Sequence, residues 1–355
     1  MTLSTAYFKE LYSAFLEAEH NTGALDRFYN IAGHTVQLHF AGQALVPYIC
    51  PALEHLVTER LPAQSLTVCL WDSASTNTKI PAFPWEKDDK IASKKTNNHK
   101  ANIDQVRIYF KDQYVHGVYQ IGTNTLSMLD TNRNLAVYWV PDASQTHYYE
   151  SSTPLRAIIQ WWAHSKGLQL VHAGAVGKSD GGVLLAGTSG SGKSVTALAC
   201  INSDLLYAGD DHVLLSTDPI PYLYSLYSAC RLNAADIKKF PGLVPAIINP
   251  RNLDTEKALI FLHDFSPEKV AIGFKIRAIL LPQVAGFTET RLKRVSAATG
   301  LKALAPSTIF QLPGAGQEDL KWMAKFVRQI PSYVLELGED SYAIPDIILD
   351  LLAKG

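Results

Sequence analysis

The sequence predicts two domains of mixed structure: an amino-terminal helix with a mostly antiparallel β-sheet, and a carboxy-terminal α/β domain. Alternating apolar and polar residues dominate the first part of the chain, a helix pattern follows, and strands then alternate with helices from Leu168 onward. At 355 residues the chain has room for two domains of ordinary size, each about 100 to 150 residues. We expect a substrate-recognition domain over 1–150 and a catalytic domain over 151–355.

In the first domain, residues 5–20 predict a helix. One face of this helix carries Phe8, Leu11, Tyr12, Phe15 and Leu16 at spacings of three and four residues. Alternation then predicts strands in "FYNIAGHTVQLHFAG", "SLTVCLWDS", "QVRIYFKD", "YVHGVYQIG", "TLSMLDT" and "NLAVYWVP".

A long polar segment, residues 73–104, interrupts these strands. It is rich in Lys and Asn and has no clear period. Loops of this length in a compact domain are uncommon. A solvated excursion is the simpler interpretation, and a flap that contacts substrate is the alternative.

The stretch "SSTPLRAIIQWWAHSKG" predicts a helix that joins the domains, starting at Ser152 or Thr153 before Pro154 and stopping at Gly167. After it, "LQLVHAGAVGK" and "GVLLAG" predict two strands in a hairpin around the turn "SDGG". A helix from about Lys193 to Asn202 follows, and "LLYAGDDHVLLS" predicts a strand pair or one bent strand. The remaining strands and helices are predicted in "KALIFLHDF", "KIRAILLPQV", "ALKALAPS", "EDLKWMAKFVRQI", "SYVLELG" and "IPDIILDLLAK".

Composition limits the classes of partner. The chain has 32 basic and 33 acidic residues and a net charge of −1, so no overall field attracts nucleic acid and any anion site must be local. The first twenty residues lack the basic and apolar regions of a signal peptide, and no apolar run reaches the roughly 18 residues that span a bilayer. We therefore expect a cytoplasmic protein that binds neither nucleic acid nor membrane.

The four cysteines are widely spaced and form no C-x-x-C pair. Cys50, Cys69, Cys200 and Cys230 all lie in apolar surroundings. They predict buried thiols in a reducing compartment, with metal binding as the weaker alternative.

The strongest motif is G-x-x-x-x-G-K-[ST], the Walker A or P-loop pattern. The match is complete over Gly187, Thr188, Ser189, Gly190, Ser191, Gly192, Lys193 and Ser194. Glycines let backbone N–H groups curl around phosphate oxygens, the lysine supplies a charge to the β and γ phosphates, and the serine hydroxyl holds Mg²⁺. The motif follows a predicted strand and precedes a predicted helix, as the chemistry requires. A nucleotide site is expected here, against the alternative of a structural turn.

Two carboxylates follow closely, since Asp210 lies 17 residues after Lys193. A helix and one strand fill that interval, which would return Asp210 and Asp211 to the phosphate loop. Adjacent residues at a strand end point to opposite sides. One carboxylate could therefore hold Mg²⁺ while the other accepts a proton from an alcohol. A solvated turn is the simpler alternative, but the apolar flanks make it unfavourable.

His172 precedes Lys193 by 21 residues, on the strand expected to pair with the strand before the loop. Pairing across the turn would bring it near the phosphates. A buried histidine without catalytic work is the alternative, and it is the commoner role for a single histidine in a strand.

Together, "LVHAGAV", "GVLLAG", "TSGSGKS" and "LLYAGDDHV" resemble the catalytic domain of HPr kinase/phosphorylase, a fold related to the nucleotide domain of phosphoenolpyruvate carboxykinase. The resemblance covers residues 168–217 in order and spacing. It implies that the loop binds ATP, that Ser194 and Asp211 hold Mg²⁺, and that Asp210 is the base with His172 assisting.

The chain also departs from that family. The segment resembling E-x-R-G-x-G-I-I-N is absent, and "YSLYSACRLNAADIKKF" stands in its place. This segment looks more like Y-x-x-x-R-L of HPr kinase-like proteins encoded with peptide-modifying enzymes, including lasso peptide kinases. The resemblance implies that Arg231 contacts phosphate or substrate, with Lys257 a weaker candidate beside the alternative of a surface charge. No motif in the first domain resembles the corresponding HPr kinase domain.

The expected function is ATP- and Mg²⁺-dependent transfer of the γ phosphate to a hydroxyl, of Ser or Thr in a protein or peptide. A small-molecule kinase that acts on a free hydroxy amino acid or a sugar is one alternative. A nucleotide-dependent regulatory module without transfer is another. A homo-oligomer is compatible with the resemblance.

Overall fold

A computed structural model describes most of the chain, namely residues 2–60, 64–85 and 107–354. Most of the predicted 73–104 loop thus lies outside the described residues, and both interpretations of that loop remain predictions. Among the described helices, none is long and apolar enough to cross a membrane. All four cysteines are buried free thiols.

The chain forms two compact units. One consists of Met1–Cys50 and Val57–Lys166, and the other consists of Pro51–Leu56 and Gly167–Gly355. The first unit therefore continues beyond residue 150, where the sequence placed the domain boundary, and it includes the joining helix. The expected roles of the two domains stay predictions.

The first unit is a helix packed on a seven-stranded sheet with strand order β1-β2-β3-β7-β6-β5-β4. The β2–β3 and β3–β7 pairs are parallel, and the other neighbouring pairs are antiparallel. Its elements are α1 (Leu3–Thr22), β1 (Ala24–Ile31), β2 (His34–Ala41), α2 (Val46–Ile49), β3 (Leu66–Asp72), α3 (Ser73–Thr76), β4 (Arg107–Lys111), β5 (Val115–Gln120), β6 (Thr125–Asp130), β7 (Leu135–Val140), α4 (Tyr148–Ser152) and α5 (Arg156–Ser165).

Helix α1 confirms the predicted amino-terminal helix. Thr2 caps it by accepting a hydrogen bond from the Thr5 N–H, and its apolar face buries Phe8, Leu11 and Phe15. Leu16, which the sequence placed on the same face, is 45% exposed. It lies at the edge of the apolar stripe, where a helical turn carries it away from the sheet.

The joining helix starts later than predicted. Helix α4 ends at Ser152, and α5 begins at Arg156 after Leu155, whose φ of 59° is left-handed. Pro154 explains the break, because proline lacks an N–H and disfavours helical geometry in the residue before it. Gly167, at a φ of 72°, follows the end of the helix as predicted.

The second unit is built on a sheet with strand order β11-β9-β10-β16-β13-β12-β8, which β18 and β17 extend from β16; β14 and β15 form a separate pair. Its elements are β8 (Gln169–Val171), β9 (Gly174–Lys178), β10 (Gly181–Leu185), α6 (Lys193–Ala199), β11 (Leu206–Gly209), β12 (Val213–Ser216), β13 (Tyr222–Tyr224), β14 (Ala229–Leu232), α7 (Ala234–Ile237), β15 (Ala258–Phe261), α8 (Leu262–Phe265), β16 (Gly273–Phe287), β17 (Arg291–Val295), α9 (Ala297–Gln311), α10 (Gln317–Val327), β18 (Ser332–Gly338) and α11 (Ile344–Ala353).

The central strand β10 is buried on both faces, which explains its unbroken apolar sequence. Val183 and Leu185 belong to the core that includes residues of α6 and α11, whereas Leu184 belongs to the core that includes residues of α9 and α10. A strand covered on both faces needs apolar residues at every position. The phosphate loop follows directly and so starts from a fixed point in the core.

Two segments that the sequence predicted to be extended each form two strands. "LQLVHAGAV" forms β8 and β9, with His172 in the bend between them, so His172 is not on the strand that pairs with β10. "LLYAGDDHVLLS" forms β11, which pairs with β9, and β12, which pairs with β8. The predicted hairpin of β9 and β10 is confirmed.

The bend between β8 and β9 lies against the bend between β11 and β12, because β8 pairs with β12 and β9 pairs with β11. A Cβ on Gly174 would come within 3.1 Å of the Gly209 carbonyl and 3.2 Å of the Asp210 carbonyl. Glycine permits this close backbone approach. As a result, the side chains of His172 and of the paired aspartates come together.

Candidate functional site

The phosphate loop turns sharply between β10 and α6. Gly190 and Gly192 have φ values of 81° and 107°, in the region that favours glycine. A Cβ on Gly192 would also come within 2.4 Å of a Leu337 side-chain carbon. The strand, loop and helix therefore occur in the predicted order, and two of the motif glycines are required by backbone geometry.

Lys193 is held by the loop itself. Its ammonium donates to the carbonyls of Gly187 at 2.8 Å and Thr188 at 3.1 Å. Burial lowers the pKa of Lys193, while Asp211 and Asp210 oppose that change. The amine is thus a mostly buried cation that faces carboxylates across the loop.

Asp211 is surrounded by nitrogen donors. The Arg231 guanidinium lies 2.6 Å and His212 Nδ1 lies 2.9 Å from Oδ2, and His172 Nε2 lies 3.1 Å from Oδ1. Burial alone would raise its pKa, but Arg231 and the two histidines outweigh burial and hold the pKa of Asp211 well below its usual range. Asp211 is therefore an ionised carboxylate that fixes three neighbours.

Asp210 has different surroundings although it is the adjacent residue. Its Oδ2 accepts the backbone N–H of Arg231 at 3.2 Å. Burial and the neighbouring Asp211 charge raise the pKa of Asp210, and the Ser194 hydroxyl only partly offsets them. The two carboxylates thus have pKa values shifted in opposite directions, an arrangement typical of sites that transfer protons.

His172 is nearly inaccessible and is held at two points. Its backbone N–H donates to Thr308 Oγ1 at 3.0 Å, and its Nε2 contacts Asp211. Burial lowers the pKa of His172, so the imidazole is neutral at pH 7 and Nε2 carries the proton donated to Asp211. Among the described residues, no hydrogen-bond partner is found for its buried Nδ1.

Most of the predicted site residues line one cleft in the second unit. His172 reaches this cleft from a bend rather than from a strand. The cleft has a volume of about 920 Å³, including the space open to solvent. Its lining includes His172, Ser189, Gly190, Gly192, Lys193, Ser194, Asp210, Asp211, Arg231 and Lys257. Gly187, Thr188 and Ser191 belong to the loop but are not among the lining residues.

The prediction from sequence did not include His212, which is fully buried and contacts Asp211. The tripeptide Asp210-Asp211-His212 was visible, but a histidine that starts an apolar strand looks like a core residue. It also missed Lys239, which lines the cleft and pairs with Asp236 at 2.8 Å. No local pattern marks Lys239, because it reaches the cleft only through the path of the chain after β14.

The donors suit a magnesium ion that is bound mainly by phosphate. Within the described ranges, no group of three or more His, Cys, Asp and Glu residues could hold a metal. Magnesium commonly takes only one or two protein ligands, with substrate phosphates and waters as the others. The Ser194 hydroxyl, which hydrogen-bonds to the buried Asp210 carboxyl, is an oxygen ligand that fits the ion. Both Asp211 oxygens already have partners, so the geometry favours Asp211 less as a ligand.

Comparison with known proteins finds distant likeness to solved structures. No family model and no curated protein matches the chain. Among solved structures, the chain is similar to the Hpr(Ser) kinase/phosphatase from Coxiella burnetii. The identity is 12% and the TM-score is 0.29, over 52% of this chain and 95% of that chain. A likeness of this size carries no argument about activity, so function must be argued from the cleft.

Proposed function

We propose that the chain is an ATP-dependent, Mg²⁺-dependent kinase that transfers the γ phosphate to the hydroxyl of a serine or threonine in a peptide or protein. One observation carries the proposal: a complete phosphate-loop motif shares a cleft with two adjacent aspartates whose pKa values are shifted in opposite directions. Phosphate binding alone would need only the loop. A buried carboxylate with a raised pKa beside it adds a proton acceptor.

The cations of the cleft match a triphosphate. Lys193 and Arg231 line it together with Lys257, which is close enough to lower the pKa of Lys193. The loop lysine is suited to the β and γ phosphates. Arg231 and Lys257 then neutralise charge that builds up on the transferring group, the largest contribution that such sites make to rate.

Asp210 is the proposed proton acceptor. The acceptor hydroxyl oxygen attacks the γ phosphorus, the bond from that phosphorus to the bridging oxygen breaks, and ADP leaves with the electron pair. The hydroxyl proton passes to Asp210. A raised pKa makes this carboxylate a better base near neutral pH than an ordinary aspartate.

Asp211 and His172 are proposed to position the other groups. Asp211 contacts Arg231 and His172 at once, and the His172 backbone is fixed by Thr308. Loss of Asp211 would release both the guanidinium and the imidazole. Its negative charge also contributes to the raised pKa of Asp210.

Mg²⁺ would be held by Ser194 together with phosphate oxygens and waters, which leaves Asp210 to accept the proton. When bound, the ion neutralises phosphate charge and orients the triphosphate. This assignment changes the role that the sequence resemblance gave to Asp211. It leaves Ser194 as expected.

The test is incubation of the full chain with γ-labelled ATP and Mg²⁺, with a pool of Ser- and Thr-containing peptides in one arm and free hydroxy amino acids and sugars in the other. Label on a peptide is the expected result. Label only on a small molecule would replace the proposed acceptor. Tight ATP binding with no labelled acceptor would instead favour a regulatory module and overturn the kinase proposal.

A further inference from the structure

A second cavity adjoins the phosphate cleft, and the two share Lys239 and Ser341 in their linings. The second cavity, here called the side cavity, is bordered by Leu198, Phe240, Gly242, Phe265 and Tyr342. Its volume is about 1140 Å³, including the space open to solvent. It lies wholly within the second unit.

We propose that the side cavity binds the base of the nucleotide whose phosphates occupy the loop. This inference rests on the proposed function, because it needs a nucleotide in the cleft. It adds a recognition site that the loop motif does not supply. Three observations support it: the direction in which a nucleoside would leave the phosphate loop, the residues that the two cavities share, and the aromatic lining of the side cavity.

The direction follows from helix α6. Lys193, at its start, is suited to the β and γ phosphates, and Asp210 and Asp211 are close enough to interact with its charge. The nucleoside must therefore leave the site on the side away from the aspartates. Val195 lines the phosphate cleft, whereas Leu198 and Ala199, three and four residues further along the same helix face, line the side cavity.

Continuity is given by the two shared residues, which belong to different segments. Lys239 follows α7, and Ser341 lies in a short helical turn before α11. Both line the two cavities, so a ligand can extend from one to the other. A mononucleotide has this form, with a charged end and a flat, mostly apolar end.

The aromatic residues of the side cavity suit a flat base. Tyr342 is 75% exposed although it borders a concave surface, and Phe265 is 42% exposed. Nucleobases stack on aromatic side chains, and such stacking tolerates different bases. The lining polar groups, including Asn202, offer hydrogen bonds at the rim.

Calorimetric titration with Mg·ADP and Mg·pyrophosphate tests this inference, because both ligands carry two linked phosphates and ADP adds a nucleoside esterified to one of them. In the wild type, ADP should bind more tightly. Tyr342→Ala should weaken ADP by about tenfold and leave pyrophosphate unchanged. Tyr342→Phe should restore ADP binding. Tyr114→Ala, at a tyrosine 48% exposed in the first unit, is the matched control and should change neither ligand.

A second variant fills the side cavity instead of emptying it. No atom lies within 4 Å of a Cβ placed on Gly242, so this lining position has room for a Cβ and Gly242→Trp adds bulk at the side cavity. It should weaken ADP and not pyrophosphate. Equal wild-type affinity for the two ligands, or unchanged ADP affinity in Tyr342→Ala and Gly242→Trp, would overturn the inference while the proposed function stood. Failure of both ligands to bind the wild type would overturn both proposals.

Discussion

Each compact unit contains buried aspartate, but the groups that contact the carboxylates differ between the two units. In the first unit, Asp72 accepts hydrogen bonds from the backbone N–H and the hydroxyl of Ser75 and from the Ala143 N–H, so neutral donors satisfy it. In the second unit, Asp210 and Asp211 are adjacent and face Lys193, His172 and Arg231 in a cleft. Neutral local donors suffice to cap a helix. Two like charges side by side need cations from distant parts of the chain, and that arrangement is costly for folding alone.

Lys193→Ala should have the largest effect among the predictions that test this contrast. It removes the mostly buried cation that faces both aspartates and, in the proposal, the β and γ phosphates. We expect about a 10³-fold fall in kcat/KM, since one lost charged donor at a transferring group typically costs this much. Steady-state kinetics with the acceptor that takes label checks it. Lys321→Ala, at an exposed ion pair with Glu318, should leave kcat/KM unchanged. A similar fall in kcat/KM in this variant would contradict the special role given to the cation in the cleft.

Asp211→Asn should lower the free energy of unfolding by about 3 kcal/mol, because it leaves Arg231 and His172 without their shared carboxylate. Denaturant unfolding measures the loss. The folded pKa of Asp211 is lowered, so its stabilisation is present above the ordinary aspartate pKa and is lost as the pH falls through the folded value. The difference from wild type should therefore shrink in acid. A difference that grows in acid would count against the ion-pair account.

The pH profile of the reaction should reflect Asp210. Its pKa is raised and the base must be ionised, so activity should fall as the pH decreases through a value above the ordinary aspartate range of about 4. In Asp211→Asn the neighbouring negative charge is absent, and this acid limb should move to lower pH. The kcat/KM profile of the two proteins gives the comparison. An acid limb at the same pH in both proteins would show that the limb does not reflect ionisation of the aspartate pair.

Asp72→Ala should have the smallest effect. It removes the cap of α3, which costs about 1 kcal/mol in typical helices, and Asp72 is not among the residues that line the cleft. Thermal unfolding should show a modest loss, with nucleotide affinity unchanged. Weakened ADP binding in this variant would mean that the two units do not divide their tasks as proposed.

Local patterns were enough to predict the phosphate loop, helix α1 and the β9–β10 hairpin. Each depends on residues close in sequence: glycines with a lysine, an apolar stripe, or two strands around a short turn. The bend at His172 was not predictable in this way. It results from β8 pairing with β12 while β9 pairs with β10 and β11, and such distant pairings leave no local periodicity.

The roles of the two aspartates show the same limit. The sequence placed both near the loop, but only the structure gives Asp211 its three nitrogen donors and puts the Ser194 hydroxyl with Asp210. His212 and Lys239 are brought in by the folded path of the chain. Side-chain partners from separate segments cannot be deduced from spacing along one strand.

The most direct test compares Asp210→Asn with Asp72→Asn, the same isosteric change at a buried aspartate of each unit. At saturating γ-labelled ATP, we expect Asp210→Asn to bind nucleotide normally and to lose transfer by about 10³-fold, within the range for a general base. Asp72→Asn should transfer label at the wild-type rate. Undiminished transfer by Asp210→Asn would contradict the claim that this carboxylate accepts the proton.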